Sequence, residues 1–284
     1  MSIDVETLQT KSVAELREYF LARKRPVPDI ILEALANDSR SGVRQLAQQV
    51  RKRRLQNHRE GQRLSRLLRF ERELRSEGFR HIAGVDEAGM APLAGPVVAA
   101  AVILPYDYKL EGLNDSKKIP NGKKREDLAF QIKRDSIAWS TGRAEVEEID
   151  FLNIYRSGLL AMSRAIEHLP TKPEYVLVDA RTIPHCPFPQ KAIVHGDELS
   201  ASIAAASIIA KTTRDSIMVG LDRMYSGYGF ASHKGYPTRA HLRILADKGP
   251  LPVHRRSFAP VRRALGLDPI QCKLFPKKQI EYNT

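Results

Sequence analysis

Val97–Leu104 is the longest unbroken apolar run in the chain, and it narrows the possible folds more than any other stretch. A bilayer-crossing helix needs about 20 such residues, so this run is far too short to be one. It reads instead as a buried β-strand. Shorter runs of the same kind stand around it: His81–Val85 before it, then Ile137–Val146, Tyr175–Val178 and Lys191–His195, with turn residues between them. Two helical patterns are interleaved, one over Ile149–His168 and a long one over Glu198–Tyr225 with Ala and Ile filling one face. Strands bracketing helices in this order predict an α/β domain with a mixed β-sheet flanked by helices. No internal repeat or low-complexity segment is visible.

The first part of the chain differs. Residues 1–78 are rich in Arg, Leu and Gln, and Pro26 and Pro28 interrupt an early helical pattern at Val13–Ala22. A longer apolar stripe follows through Val43, Leu46, Ala47 and Val50, then Leu64, Leu67, Leu68 and Leu74, with Gly78 as a terminator. Arg51, Lys52, Arg53, Arg54, Arg59, Arg63, Arg66 and Arg69 occupy the other face. Residues 1–80 hold 18 basic and 11 acidic side chains, so seven of the chain's thirteen net positive charges lie here. Such a surplus points to a polyanionic partner, nucleic acid before membrane, although a solvated helix face is the ordinary role of a charge run. The predicted organisation is a basic helical extension over 1–78, an α/β domain over 79–266, and a basic tail over 267–284 without assignable role. Cys186 and Cys272 make neither a disulfide framework nor a zinc spacing. With Asp4 and Glu6 and no apolar core at the N-terminus, a cytoplasmic location is expected.

The chemistry is suggested by where carboxylates fall. Asp86 and Glu87 directly follow Ile82–Val85, Asp179 follows Val176, Leu177 and Val178, and Asp197 follows Ile193 and Val194 at the head of the long helix. Ligands of open α/β sheets collect outside the carboxyl ends of strands, so four acids at three such ends can meet in one pocket. Crowded carboxylates repel, and a cation is their natural companion. Oxygen ligands without a His/Cys set point to Mg²⁺ or Mn²⁺ rather than zinc. In a basic chain, that combination suggests two-metal phosphodiester cleavage. Any single Asp after a strand also serves well as a helix cap or turn closer, and spacing alone leaves both readings standing.

The residues resemble a known family. Gly84-Val85-Asp86-Glu87-Ala88-Gly89 followed by Pro92-Leu93-Ala94-Gly95-Pro96-Val97-Val98 is similar to the opening motif of ribonuclease HII, the type 2 ribonuclease H. Leu113-Asn114-Asp115-Ser116-Lys117-Lys118 resembles its second motif, and Ile149-Asp150 with Asn153-Ile154 and Val176-Leu177-Val178-Asp179 resemble the next. Gly196-Asp197, Ser202-Ile203-Ala204-Ala205-Ala206-Ser207-Ile208-Ile209-Ala210-Lys211 and Arg214-Asp215 resemble the longest. His233-Lys234-Gly235-Tyr236 and His254-Arg255-Arg256-Ser257-Phe258 complete the set, in family order over roughly residues 69–263.

The resemblance implies a ribonuclease H-like fold and hydrolysis of RNA paired with DNA, leaving 5′-phosphate and 3′-hydroxyl ends. It implies catalytic, metal-binding roles for Asp86, Glu87, Asp179 and Asp197. It also implies that Tyr236 meets the ribose 2′-hydroxyl, the group that separates RNA from DNA at a given position. Ser116, Lys117, Lys211 and Arg214 are candidates for phosphate contact, with surface ion pairs as the alternative. Asp215 lies 18 residues beyond Asp197, roughly 27 Å along a continuous helix, so it is expected to be structural, paired with a neighbouring cation. His233, His241 and His254 lack metal-ligand spacing and are expected to be structural or to touch backbone. The family's usual Gly-Arg-Gly after its Asp-Glu pair is here Gly89-Met90-Ala91, which removes a cation and adds a methyl where nucleic acid approaches. That departure places incision at a single embedded ribonucleotide in question.

The expected partners are an RNA–DNA hybrid or a ribonucleotide-containing duplex, with no membrane, a replication clamp not assignable from the sequence, and a monomeric state. Two competing readings remain: a DNA-directed nuclease of the same fold, and a hybrid-binding protein with impaired catalysis.

Overall fold

Strand β2 (Val97–Ile103) has all seven residues buried, and two other strands enclose it in the sheet. The computed structural model describes residues 4–22, 26–119 and 121–267; Cys272 and the tail beyond residue 267 lie outside the described residues. The sheet has the order β3-β2-β1-β4-β5, with β1 (Ile82–Ala88), β3 (Ala138–Ala144), β4 (Tyr175–Asp179) and β5 (Gln190–Ile193). β2 pairs antiparallel with β1 and β3, whereas β1, β4 and β5 run parallel. The sheet is therefore mixed, as the alternation of strand and helix patterns predicts.

Helices cover both faces. Ala83 and Val85 of β1 pack with Ala99 and Ala101 of β2 and with Ala161, Met162 and Ala165 of helix Ile154–Glu167. Strand alternation sends Gly84 and Asp86 to the opposite face, towards helix Ala201–Met224. A Cβ on Gly84 would overlap the backbone of Ser202 and Ile203, so glycine here lets strand and helix approach closely.

Three helical patterns are broken where the sequence shows no interruption; the stripe from Val43 to Leu74 is carried by two helices, Ser41–Leu67 and Arg69–Ser76. The predicted helix Ile149–His168 is two helices, Val146–Leu152 and Ile154–Glu167, with Asn153 between them at φ 76°. The Asn153 carboxamide caps the second helix by accepting from Arg156 N–H at 3.1 Å. The predicted long helix divides at Ser200 into Gly196–Leu199 and Ala201–Met224. Asp197 consequently sits in a separate turn ahead of the long helix.

Residue contacts divide the chain into two compact units, Met1–Arg66 and Leu67–Thr284, a boundary earlier than the change of composition at residue 78. The difference lies in helix Arg69–Ser76, whose Leu74 packs with Ile82, Leu177, Ile193 and Ile203 of the α/β unit. Its Glu71 is 1% exposed, and one carboxylate oxygen accepts from Ser200 Oγ (2.6 Å), Ser202 N (2.9 Å) and Ser202 Oγ (2.7 Å). Glu71 thus fixes the break that precedes the long helix.

The first unit consists of helices Val5–Thr10, Val13–Arg17, Asp29–Ala36 and Ser41–Leu67, with a π-helical turn at Glu18–Ala22. Ser12 and Glu15 form a reciprocal capping box. Leu16, Phe20, Ile31 and Leu35 bury against Val43, Leu46 and Val50 of the longest helix, as its apolar stripe predicts. Among the described residues no helix is long and apolar enough to cross a membrane.

Candidate active site

Parallel pairing brings the acids to one edge of the sheet. Val85 pairs with Val178, so Asp86 and Asp179 are next in register at the carboxyl ends of β1 and β4. Asp179 pairs with Ile193 of β5, after which His195, in the left-handed region, turns the chain into Asp197. Asp86 and Glu87 do not follow β1 but lie inside it, opposite Ala100 and Ala99 of β2, so their side chains leave opposite faces.

Each acid has a distinct setting. Asp86 is 5% exposed; its carboxylate accepts from Glu87 N at 2.7 Å and is hydrogen-bonded by Ser207 of the long helix. Asp179 accepts from Gly196 N at 2.7 Å, which ties the end of β4 to the turn carrying Asp197. Glu87 Oε1 lies 3.3 Å from Arg181, while its buried Oε2 has no hydrogen-bond partner. Asp197 is hydrogen-bonded to Asp115 and lies 3.6 Å from Lys117 Nζ.

The mutual repulsion is legible in their acidities. Burial raises the Asp86 carboxyl well above the usual range, and the charges of Glu87 and Asp179 add to it. Burial pushes Glu87 up to about 7, with Asp179 reinforcing the shift and Arg181 opposing it. Asp197 is raised by burial and then by Asp115 and Asp179. Desolvation and like charge act together here, the condition that an added cation relieves.

An all-oxygen donor set with a buried, unpartnered carboxylate oxygen suits a hard divalent cation. As the side chains lie, however, no three His, Cys, Asp or Glu groups among the described residues are gathered closely enough to hold one. Lys117 and Arg181 instead supply positive charge at the edges of the cluster. Asp115 joins the group through Asp197, a participant that the sequence motif contained but spacing did not single out.

The residues expected to meet substrate divide into two sets. Gly89, at φ 101°, begins the loop beyond β1, and a Cβ there would overlap the Arg214 side chain. Met90 is half-buried, with its sulfur 3.9 Å from Arg181 NH1, and Ala91 is exposed. Lys117 is solvent-exposed. Lys211 pairs with Asp215 at 2.7 Å, and its ammonium lies 5.7 Å from the centre of the Tyr236 ring. Tyr236 keeps 37% of its surface exposed.

Ser116 and Arg214 are placed otherwise than the expectation of phosphate contact requires. Ser116 is buried, and its hydroxyl shares a hydrogen bond of 3.0 Å with Ser207. Arg214 is fully buried and donates to the carbonyls of Pro96, Lys234 and Ala94 at 3.1 Å each. Its guanidinium is committed to backbone. Asp215 pairs with Lys211 and, at 3.7 Å, with Arg125.

Arg255, which sequence reasoning left without a role, completes this brace. It is fully buried and donates to the carbonyls of Gly89 (2.6 Å), Met90 (3.2 Å), Pro92 (2.8 Å) and Gly95 (2.8 and 3.0 Å). Burial, and then the charge of Arg214, pulls its pKa down to about 9. Arg255 thus holds the backbone on both sides of Ala91, through the carbonyls of Gly89, Met90 and Pro92, while the Met90 side chain packs against the core. Tyr236 is fixed from the same side. Its carbonyl lies 2.9 Å from His241 Nδ1, and His241 Nε2 lies 3.1 Å from His254 Nε2. Leu251 N–H donates to His254 Nδ1 at 2.9 Å. These contacts require a neutral pair in which His254 donates to His241 and His241 to Tyr236.

Comparison with known proteins gives one family. A family model described as Ribonuclease HII matches residues 83–261, and one described as Ribonuclease HII N-terminal domain matches residues 12–75. The curated ribonuclease HII of Myxococcus xanthus is 59% identical, with 98% of this chain and 97% of that protein covered. That of an Anaeromyxobacter species is 56% identical over 95% of this chain and 85% of that one. Among solved structures, the ribonuclease H2 of Pyrococcus horikoshii superposes with a TM-score of 0.55 at 24% identity, covering 64% of this chain and 96% of that one. The RNase HII of Archaeoglobus fulgidus, solved in complex with PCNA, gives 0.54 at 25% identity over 64% and 96%.

Proposed function

The chain belongs to the ribonuclease HII family and is a ribonuclease H, a hydrolase, and on that premise we propose that it cuts the RNA strand of RNA–DNA hybrids, at Asp86, Glu87, Asp179 and Asp197. The observation that carries this reading is that β1, β4 and the turn after β5 bring these carboxyls to one edge of the sheet, where Glu87 Oε2 is buried without a hydrogen-bond partner. The donor chemistry suits Mg²⁺ or Mn²⁺, which these four acids would hold. When bound, divalent ions supply the charge that activates water for attack on the phosphate and stabilises the departing oxygen, giving 5′-phosphate and 3′-hydroxyl ends.

The chain's own residues supply position. Gly196 N–H and Ser207 orient Asp179 and Asp86, and Lys117 brings an exposed cation to the rim beside Asp197. The Tyr236 ring, partly exposed and held through His241, is suited to lie against a ribose bearing a 2′-hydroxyl. Lys211 beside that ring adds positive charge next to the phosphate path. The reading extends to a single ribonucleotide embedded in DNA, supported by Arg255, which holds the carbonyls of Gly89, Met90 and Pro92 around the altered triplet.

The test is metal-dependent cleavage of two labelled duplexes, one with a run of ribonucleotides against DNA and one with a single ribonucleotide. The expected result is cutting of both with Mg²⁺ or Mn²⁺ and loss of both in the Asp86→Asn protein. Cutting of the run alone would show that Met90 and Ala91 narrow the substrate range. If neither is cut, the proposed activity is wrong.

A further inference from the structure

In the N-terminal unit, helix Ser41–Leu67 carries eight cations and a single acid, Glu60. Their arrangement around the helix is not even. At 3.6 residues per turn, Arg44, Arg51, Lys52, Arg59 and Arg66 fall within an arc of about 100°, directed away from the buried stripe of Val43, Leu46 and Val50. All five are exposed. Glu60 lies outside that arc, and its two oxygens are taken by Arg63 at 2.7 Å each. The other nearby acids are also engaged elsewhere, Asp29 with Arg54 and Asp38 with Arg40.

The five cations extend over about 33 Å of helix, close to the 34–36 Å of one duplex turn. An exposed face that interleaves charges of both signs is the usual solution for solubility, and this face holds one sign. Arg44 is further oriented by donating to the carbonyls of Asp38 and Ser39. Arg44 lies near Asp38, while Arg51, Lys52, Arg59 and Arg66 have no carboxylate partner among the described residues; cations aligned at this spacing match a polyphosphate backbone rather than a compact anion.

We propose that this face of helix Ser41–Leu67 is a second nucleic-acid contact, separate from the four acids, which grips the phosphate backbone of the duplex without regard to sequence. The inference rests on the reading that the substrate is a polynucleotide. Its contribution is electrostatic, so it shows as counterion release and leaves the chemical step untouched.

The experiment measures binding of full-length protein to a labelled hybrid across a salt series, with kcat determined in parallel. Arg51→Gln/Arg59→Gln is compared with Lys11→Gln/Arg17→Gln, which removes the same net charge from elsewhere in the same unit. Gln retains helix propensity at exposed positions, and thermal unfolding checks that both variants fold. The first variant is expected to flatten the slope of log K against log salt by about 1.8, at roughly 0.9 for each phosphate no longer neutralised, with kcat unchanged. The second is expected to keep the wild-type slope. An unchanged slope in the first variant, or an equal fall in both, overturns the proposal. A flattened slope in a protein that cuts no hybrid would leave this surface standing and refute the cleavage reading instead.

Discussion

At the carboxyl edge of β1, β4 and β5, burial and the charge of neighbouring carboxylates hold the Asp86, Glu87 and Asp197 carboxyls above their usual pKa range, and a buried oxygen of Glu87 has no hydrogen-bond partner. Beneath the loop over residues 89–96, two fully buried arginines form no ion pair among the described residues, and their donors are distributed over the carbonyls of Gly89, Met90, Pro92, Ala94, Gly95, Pro96 and Lys234. Both regions bury charge, and the loop that the arginines brace follows directly on the strand that carries Asp86 and Glu87. The arginines are satisfied by hydrogen bonds and act as structure, whereas the acids are left short of positive charge and are poised for a ligand. Burial of a charge does not by itself mark a functional site; several carboxyls crowded at one strand edge with too few cations do.

The largest effect expected from this contrast lies on the acidic side. Asp86→Asn should lower hybrid cleavage by at least about a thousandfold, equivalent to roughly 4 kcal/mol in the barrier. The same change should leave the melting temperature in metal-free buffer unchanged or higher, since it removes one of the repelling charges. Cleavage within tenfold of wild type would place the centre elsewhere.

On the basic side the expectation is reversed. Arg255→Met strands several carbonyls and should cost about 3 kcal/mol or more, a melting-temperature fall on the order of 6–12 °C. Thermal unfolding gives the answer directly; a shift below about 2 °C would mean that the loop is held by something other than this guanidinium.

A third expectation concerns pH. Burial, and then the neighbouring His241, hold the His254 ring at about 4, below its ordinary 6.5. The unfolded chain therefore binds a proton that the folded one refuses, so this stabilisation is complete above pH 6.5 and is lost as pH falls towards 4. The loss should be of the order of 2 kcal/mol and should be reduced in His254→Gln. Identical pH profiles for the two proteins would contradict the neutral His241–His254 pair. The smallest effect is expected for Asp215→Asn, which cuts partly exposed ion pairs to Lys211 and Arg125: under about 1 kcal/mol, with cleavage near wild type.

Acids close to the ends of apolar strands form a local pattern, and parallel pairing brings Asp86 and Asp179 to one edge, although Asp86 and Glu87 lie inside β1 rather than after it. Asp215 is in ion pairs, as expected, but the continuous helix that its distance from Asp197 presupposes is broken at Ser200. The partners of long-range groups were not legible. Glu71 looks like any acid on an Arg-rich helix, and its serines are 129 and 131 residues away. Arg214 was read as a phosphate ligand on charge alone, while its burial depends on where the loop over residues 89–96 folds. The breaks at Asn153 and Ser200 were hidden for a related reason. Each adjoins residues of good helical periodicity, and the interruption is set by a cap and by Glu71, not by a Pro or Gly.

The most direct test of the contrast is the shift in melting temperature on adding Mg²⁺ or Mn²⁺ to the wild type, Asp86→Asn and Arg255→Met. A ligand that binds only the folded state stabilises by about 2.7 kcal/mol at a hundred times its dissociation constant, which is readily resolved. The account predicts a metal-dependent rise in the wild type and in Arg255→Met, from whatever baseline the latter has, and little or none in Asp86→Asn. An equal rise in all three would show that the metal binds away from these acids and would contradict the assignment of the site.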